Sequence, residues 1–455
     1  MTLVHTYKLF QDWFGTKEMR SVWDEENMVA RWIDVEAALA RTQAEDGVIP
    51  HEAADRIKAI GRLSSDQVND ISKITRTTRH VIAGFVRYMR DCLGEAGQYF
   101  HLGATTQDIL ETGIALQIKQ SLEMVRTDLL LLRDRLIELA EKHQDTLMCG
   151  RSQGQQGLPV TFGFKTAIWA WELNDHLIRL QELKKRVLLV SMSGAMGTQA
   201  SFTLLSGEQR ALQLPVKVGK ALDLYAPEID PHHRTDRFAE LGSWLALICS
   251  SLGEIGLEIR DLQSSEIDEV KETWQKGAEG SSTMVHKQNP EPCHWLEGLA
   301  KIARGNAMAV MDIQMQHERD ATRTAALMSC LPESFLCTSS ALSIANNLFA
   351  NLQVKRDKML ENMALSGGAI MSEALWLKLF QKTGRRGWSQ QLIKDLAQKA
   401  VREGLEFKDI AMITPEINAH LSKAEIKEAL DPANYIGTAR KQIQRIIQQI
   451  KSSKG

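Results

Sequence analysis

Three polar segments rich in Gly, Ser and Thr carry the side chains best suited to chemistry. They are His101-Leu-Gly-Ala-Thr-Thr-Gln-Asp108, Gly150-Arg-Ser-Gln-Gly-Gln-Gln-Gly-Leu-Pro159 and Gly277-Ala-Glu-Gly-Ser-Ser-Thr-Met-Val-His-Lys-Gln-Asn-Pro290. Each alone also fits a plain connector. Together they share one chemistry: Thr105, Thr106, Ser152, Gln153, Gln155, Ser281, Ser282 and Asn289 offer neutral donors, and Lys287 adds a positive charge. With the amides that lead into helices, such groups suit the carboxylates of a small anionic substrate. No GxxxxGK[ST] phosphate loop and no metal-spaced His/Cys cluster occurs, so neither a cofactor nor a metal is expected. His232 and His233 are adjacent, cannot easily share one ion from a helix, and read as a helix start.

Long helices must position these segments. Trp23, Met28, Trp32, Val35 and Leu39 mark a helix from Val22 to about Asp46, and residues 51–97 read as shorter helices. Ile114, Ile118, Leu122, Val125, Leu129, Leu132, Leu136 and Leu139 recur at steps of three and four. So do Phe238, Leu241, Leu245, Ile248, Leu252, Ile255, Ile259 and Leu262. Further helices are expected over 159–190, 291–325 and 333–365. Five long helices between 110 and 365 predict an all-α bundle, flanked by helical domains over 1–109 and 366–455. Stretches such as Leu129–Leu132 and Trp244–Ile248 are apolar on more than one face. A helix apolar all round must be buried all round, which predicts oligomerisation through the bundle.

Composition agrees. The 455 residues include only 10 Pro, and none lies between Pro50 and Pro159, which leaves long helices unbroken. The net charge of −2 argues against nucleic acid or an anionic membrane as the main partner. No window of eighteen uninterrupted apolar residues points to a membrane span. The six Cys (92, 149, 249, 293, 330 and 337) form no CxxC pair, and the first residues do not read as a secretory signal. Reduced thiols in a cytoplasmic protein are the expectation.

The third segment resembles the signature of the fumarase/aspartase superfamily, Gly-Ser-Ser-x-Met-Pro-x-Lys-x-Asn. Here Gly280 to Asn289 match every fixed position but one, Val285 standing for Pro. The other two segments fall in the expected order. The stretches Phe14–Pro50, His101–Thr112, Gly194–Gly197, His317–Asp320 and Asp431–Tyr435 are most similar to the adenylosuccinate lyase and 3-carboxy-cis,cis-muconate cycloisomerase branch. The resemblance implies a homotetramer with a core of twenty helices and active sites each built from three subunits. It implies β-elimination at a succinyl-like centre of a di- or tricarboxylate, usually releasing fumarate. By match, Ser281 is the base, and Lys287 and Asn289 hold the carboxylate. Thr105 and Thr106 contact the substrate, His80 matches a lyase histidine, and Arg319 and, more weakly, Arg234 lie near the variable part.

Two departures stand out. The lyases carry Thr-His-Gly-Gln in the second segment, with that His as general acid; here the run is Ser152-Gln153-Gly154-Gln155. The Glu that pairs with it, five residues after the signature Asn, is His294. Glutamine cannot donate a proton usefully at neutral pH. Either the substrate has a good leaving group, such as a thiolate, or His294 or His80 serves as acid. A carboxymuconate cycloisomerase, or a catalytically silent homotetramer, are the alternatives.

Overall fold

The computed structural model describes residues 8–11, 13–273, 277, 280–281, 283–314 and 322–452. The chain is all-α, with 71 % of it helical, and the described strands form two small two-stranded sheets. Five long helices span Thr106–Lys142, Phe162–Val187, Asp236–Leu262, Glu291–Asp312 and Thr324–Ala350; they are called the first to fifth long helices below. All eight residues of the seam from Phe238 to Leu262 are buried, as are those of the earlier seam except Leu139, which is half-buried. Period alone therefore located the core faces.

Helix ends differ from the sequence expectation in three places. The second long helix begins at Phe162, because residues 147–161 form a β-hairpin. The fourth ends at Asp312 rather than near 325. The fifth starts at Thr324 and runs through Pro332, then stops at Ala350; a separate helix covers Arg356–Ala364. A proline inside a helix removes one backbone bond, and the surrounding burial of Leu331, Phe335 and Leu336 outweighs that loss.

The chain divides into two compact units. The first comprises residues 1–129, 175–254 and 295–344. In it Trp32 of the helix Glu25–Glu45 meets Phe85 edge-on at 5.5 Å, and Phe85 meets Phe100 at 5.7 Å. Gly113 lets the first long helix approach this cluster, since a Cβ there would lie 2.8 Å from the Trp32 ring. Gly253 likewise admits close packing of the third and fourth long helices: its Cβ would stand 3.0 Å from that of Ala300.

The second unit comprises residues 130–174, 255–294 and 345–455. Its C-terminal helices close around Leu375, Leu379, Ile393, Phe407, Ile417 and Ile426. The hairpin pairs β1 (Leu147–Ser152) with β2 (Gln155–Thr161). A two-residue ladder joins β3 (Val270–Lys271) to β4 (Gln353–Val354).

Several long helices keep an apolar residue in solvent: Ile168 and Leu247 are 50 % exposed and Met308 62 %. The third long helix is apolar and long enough to cross a membrane by composition, yet 72 % of its most apolar window is buried inside the fold. Such burial marks a core helix. Leu252 sits on its buried seam with no exposure. Leu252→Ala should therefore cost about 2–5 kcal/mol of stability, read as a lowered denaturant midpoint; an unchanged midpoint would refute the assignment of this seam to the core.

Candidate active site

In the first unit the candidate groups gather at the start of the first long helix. Thr105 precedes that helix and Thr106 opens it. The buried Asp108 carboxylate accepts the N–H of Thr105 at 3.0 Å, of Ser193 at 2.9 Å and of Gly194 at 3.1 Å. One side chain thus fixes the Thr105–Thr106 turn and the Ser193–Gly194 turn together. One turn on, Thr112 and Ser191 exchange two bonds, Oγ1–H to the carbonyl at 3.1 Å and N–H to Oγ1 at 2.9 Å.

His80 caps the helix Val81–Leu93, its Nδ1 accepting the N–H of Ala83 at 3.1 Å. An accepting Nδ1 leaves the neutral ring's proton on Nε2. That Nε2 lies 3.3 Å from Thr106 Oγ1. The structure therefore brings together His80 and Thr106, two residues singled out from sequence.

Arg234 sits on the turn before the third long helix, more than half exposed, 3.9 Å from Asp236. The turn is held by residues that sequence reasoning passed over. His232, read as an idle helix start, is instead buried four residues before Asp236 opens the helix, and its Nδ1 meets Glu111 Oε1 at 2.6 Å. Glu111 also accepts from Arg237 at 2.7 Å and Arg323 at 2.5 Å. Burial pushes the Glu111 carboxyl up, but the His232 bond and the charges of Arg237, His232 and Arg323 outweigh it and bring it to about 2. Nothing in the pattern around Glu111 distinguishes it from any other helical Glu, so only the fold reveals it.

In the second unit the segment Gly150–Pro159, expected as a loop, is the hairpin. Gln153 and Gly154 form its two-residue turn, at φ of 55° and 75°. Both values are left-handed, as a type I′ hairpin turn requires. Gln153 thus stands at the exposed tip, with Ser152 and Gln155 paired across from each other. The hairpin is anchored below the tip. Arg151 donates twice to the fully buried Glu269, at 2.9 and 2.5 Å, and Asn362 donates to the same carboxylate at 3.0 Å. Glu269 directly precedes β3, the strand that leads toward the Gly280 segment. A cavity of about 520 Å³ beside the hairpin is lined by Arg151, Gly154, Gln156 and Lys165.

Within the third segment the Ser281 Oγ accepts the N–H of Met284 at 2.9 Å and of Thr283 at 3.4 Å. Two converging N–H groups favour a negative charge on that oxygen. Asn289 spans the loop, donating Nδ2–H to the Gly280 carbonyl at 2.6 Å. Lys287 and His286 are exposed. His294 is exposed on the first turn of the fourth long helix. Behind it lies Glu272, which accepts from Cys293 Sγ at 2.9 Å and Gln263 at 3.0 Å. Burial raises the Glu272 carboxyl above its usual range, more than those bonds and the His294 charge lower it. Ser282, His317 and Arg319 lie outside the described residues. Among the described residues no three His, Cys, Asp or Glu side chains are placed to hold a metal. A groove of about 950 Å³ in the first unit is lined by Glu18, Arg31, Asp34, Lys119 and Met124, and none of the described candidate groups lines it.

Comparison with known proteins follows this geometry. A family described as lyase matches residues 13–305, and one described as adenylosuccinate lyase C-terminus matches residues 368–446. The chain is 39 % identical to the adenylosuccinate lyase of Pyrococcus horikoshii over 440 residues, 96 % of each chain. It is 36 % identical to the N-acetyl-S-(2-succino)cysteine lyase of Dickeya dadantii, over 95 % of this chain and 94 % of that one. Among solved structures, the 3-carboxy-cis,cis-muconate lactonizing enzyme of Pseudomonas putida superposes with a TM-score of 0.89 at 31 % identity, covering 99 % of this chain and all of that one.

The Glu111 cluster sets an acid dependence. Its carboxyl is lower in the folded state than its ordinary 4.5, so its contribution to stability is complete above that value and is lost as pH falls toward about 2. The denaturant midpoint should drop over that window. Glu111→Gln should lower stability at neutral pH and flatten that drop; an equally steep drop in the variant would contradict the assignment.

Proposed function

The chain belongs to the fumarase/aspartase superfamily of lyases, and from that premise we propose that it catalyses β-elimination from a succinyl-type substrate with release of fumarate. The observation that carries this reading is the pair of N–H groups, from Met284 and Thr283, that converge on Ser281 Oγ. A serine hydroxyl is a poor base until its alkoxide is stabilised, and these donors would contribute to that.

In the proposed reaction Ser281 oxygen takes the proton beside a substrate carboxylate. The C–H electron pair becomes an aci-carboxylate, which collapses to the double bond as the β-substituent departs with its bonding pair. Lys287 and Asn289 hold the carboxylate where charge builds, and Thr105 and Thr106 hold the other end. Ser152, Gln155, Ser282, Arg234 and Arg319 complete the set of substrate contacts. His80, whose Nε2 lies 3.3 Å from Thr106 Oγ1, or His294 would handle a second proton.

Gln153 narrows the substituent. Standing at the tip of the hairpin, it presents an amide where an acid would be needed to protonate an expelled amine. A thiol has an ordinary pKa of about 8.5, so a thiolate departs with little help. A C–S succinyl adduct is therefore the favoured substrate class, and the N-acetyl-S-(2-succino)cysteine lyase among the relatives supports it. A succinyl amine and a cycloisomerase reaction are the secondary readings, the latter on the strength of the lactonizing enzyme's likeness.

The exposed Ile168, Ile178, Leu247 and Met308 support assembly as a homotetramer. The six Cys are all free thiols, which suits the cytoplasm.

Two variants test this. Ser281→Ala should lower fumarate release at least about a hundredfold while leaving the assembly intact; retained turnover would remove Ser281 from the role of base. Gln153→His should improve turnover of a succinyl amine about tenfold or more and barely change that of a succinyl thioether. Equal turnover of both by the natural enzyme, with no gain in the variant, would overturn the leaving-group argument.

A further inference from the structure

Glu111 bonds none of the described candidate substrate groups directly, yet a chain of bonds runs from it to Arg234. Its Oε2 accepts from Arg237 Nη2 at 2.7 Å, and Arg237 Nε donates to the Arg234 carbonyl at 3.3 Å. Its Oε1 meets His232 Nδ1 at 2.6 Å, and the His232 carbonyl accepts Arg323 Nη1 at 2.6 Å. Arg323 returns to Glu111 through Nη2 at 2.5 Å. The turn that presents Arg234 is thus pinned from its backbone and from a side chain, on both sides. All four pinning residues are at least nine-tenths buried, while the Arg234 side chain is more than half exposed and approaches Asp236 at 3.9 Å.

Glu111 lies on the same helix as Thr106, five residues on. A helix is a rigid spacer over that distance. The bonds therefore relate the Arg234 turn to Thr105, Thr106 and, through the 3.3 Å contact, His80. A buried carboxylate facing two guanidiniums and an imidazole has one low-energy arrangement, because any displacement leaves a buried charge unpaired.

We propose that Glu111 is a positioning residue that sets where Arg234 stands relative to Thr105, Thr106 and His80, so that the Arg234 guanidinium receives an anionic group of the succinyl substrate. This rests on the proposed function for the ligand class, and on the bonds above for the positioning. Arg237 and His232 are the two arms through which Glu111 acts.

The test is a double-mutant cycle on Glu111 and Arg234, read as Kd for an S-succinyl thiol by calorimetry in the Ser281→Ala enzyme, and as KM against kcat in the enzyme that keeps Ser281. Arg234→Ala and Glu111→Gln should each weaken binding about tenfold, and the double variant should be no worse than either, because the interactions are coupled. KM should rise more than kcat falls. Glu111→Asp, which keeps the charge, should recover part of the loss. Parental Kd in Glu111→Gln, or losses that multiply in the double variant, would overturn the proposal. Should Glu111→Gln fail to fold, His232→Phe cuts one arm while keeping a ring in place; the same coupling to Arg234→Ala is expected, and its absence overturns the proposal equally. An enzyme that binds the adduct but releases no fumarate sinks the proposed reaction and leaves the binding cycle to decide on Glu111. One that binds no succinyl adduct overturns both.

Discussion

A buried carboxylate is tolerated only when it is paired, and the first turns of the helix Thr106–Lys142 bury two of them. Asp108 is satisfied by three backbone N–H groups drawn from two turns of chain. Glu111 is satisfied by two arginines and a histidine: Arg237 on the third long helix, Arg323 just before the fifth, and His232 on the turn between 230 and 235. Satisfying these charges obliges the surrounding loops to take fixed places. The second unit applies the same constraint with different residues: Glu269, fully buried, holds Arg151 under the hairpin tip and Asn362 beside it. In each unit a buried carboxylate fixes chain beside groups proposed to meet substrate: Asp108 holds the turn of Thr105 and Thr106, and Glu269 holds the hairpin below Gln153.

Under the proposed function, this arrangement is how a weak base would serve. Serine needs its alkoxide stabilised, and the loop supplies two N–H groups at Ser281 Oγ while Asn289 ties the loop's ends together. Such fixed dipoles need no reorganisation when the charge develops. The leaving group then decides how much further help is needed. In the proposed reaction, Gln153 at the hairpin tip would give a departing amine little acid help, and the balance would shift toward substituents that are stable as anions.

The long helices were legible from sequence because two apolar seams keep one period for about seven turns, and burial follows that period with few departures. The signature run around Ser281 was legible because its spacing is specific. The hairpin was not: Gly and Gln in Gly150–Gly157 hide two short strands, and the apolar residues that would betray them, Met148, Cys149 and Val160, lie at its far end. Nor was the start of the fifth long helix, since it lies at Thr324, ahead of Pro332, where core burial overrides the break a proline favours. Glu111 and His232 were out of reach for a different reason. Their partners are more than a hundred residues away in sequence, and nothing local marks a Glu or His that will lose all contact with water.

The most direct test of the account is to follow an S-succinyl thiol with the enzyme by proton NMR. The account predicts that fumarate's vinyl protons and the free thiol grow in together, in equal amounts, as the adduct is consumed. An adduct that persists unchanged, or one that disappears without fumarate, would contradict it.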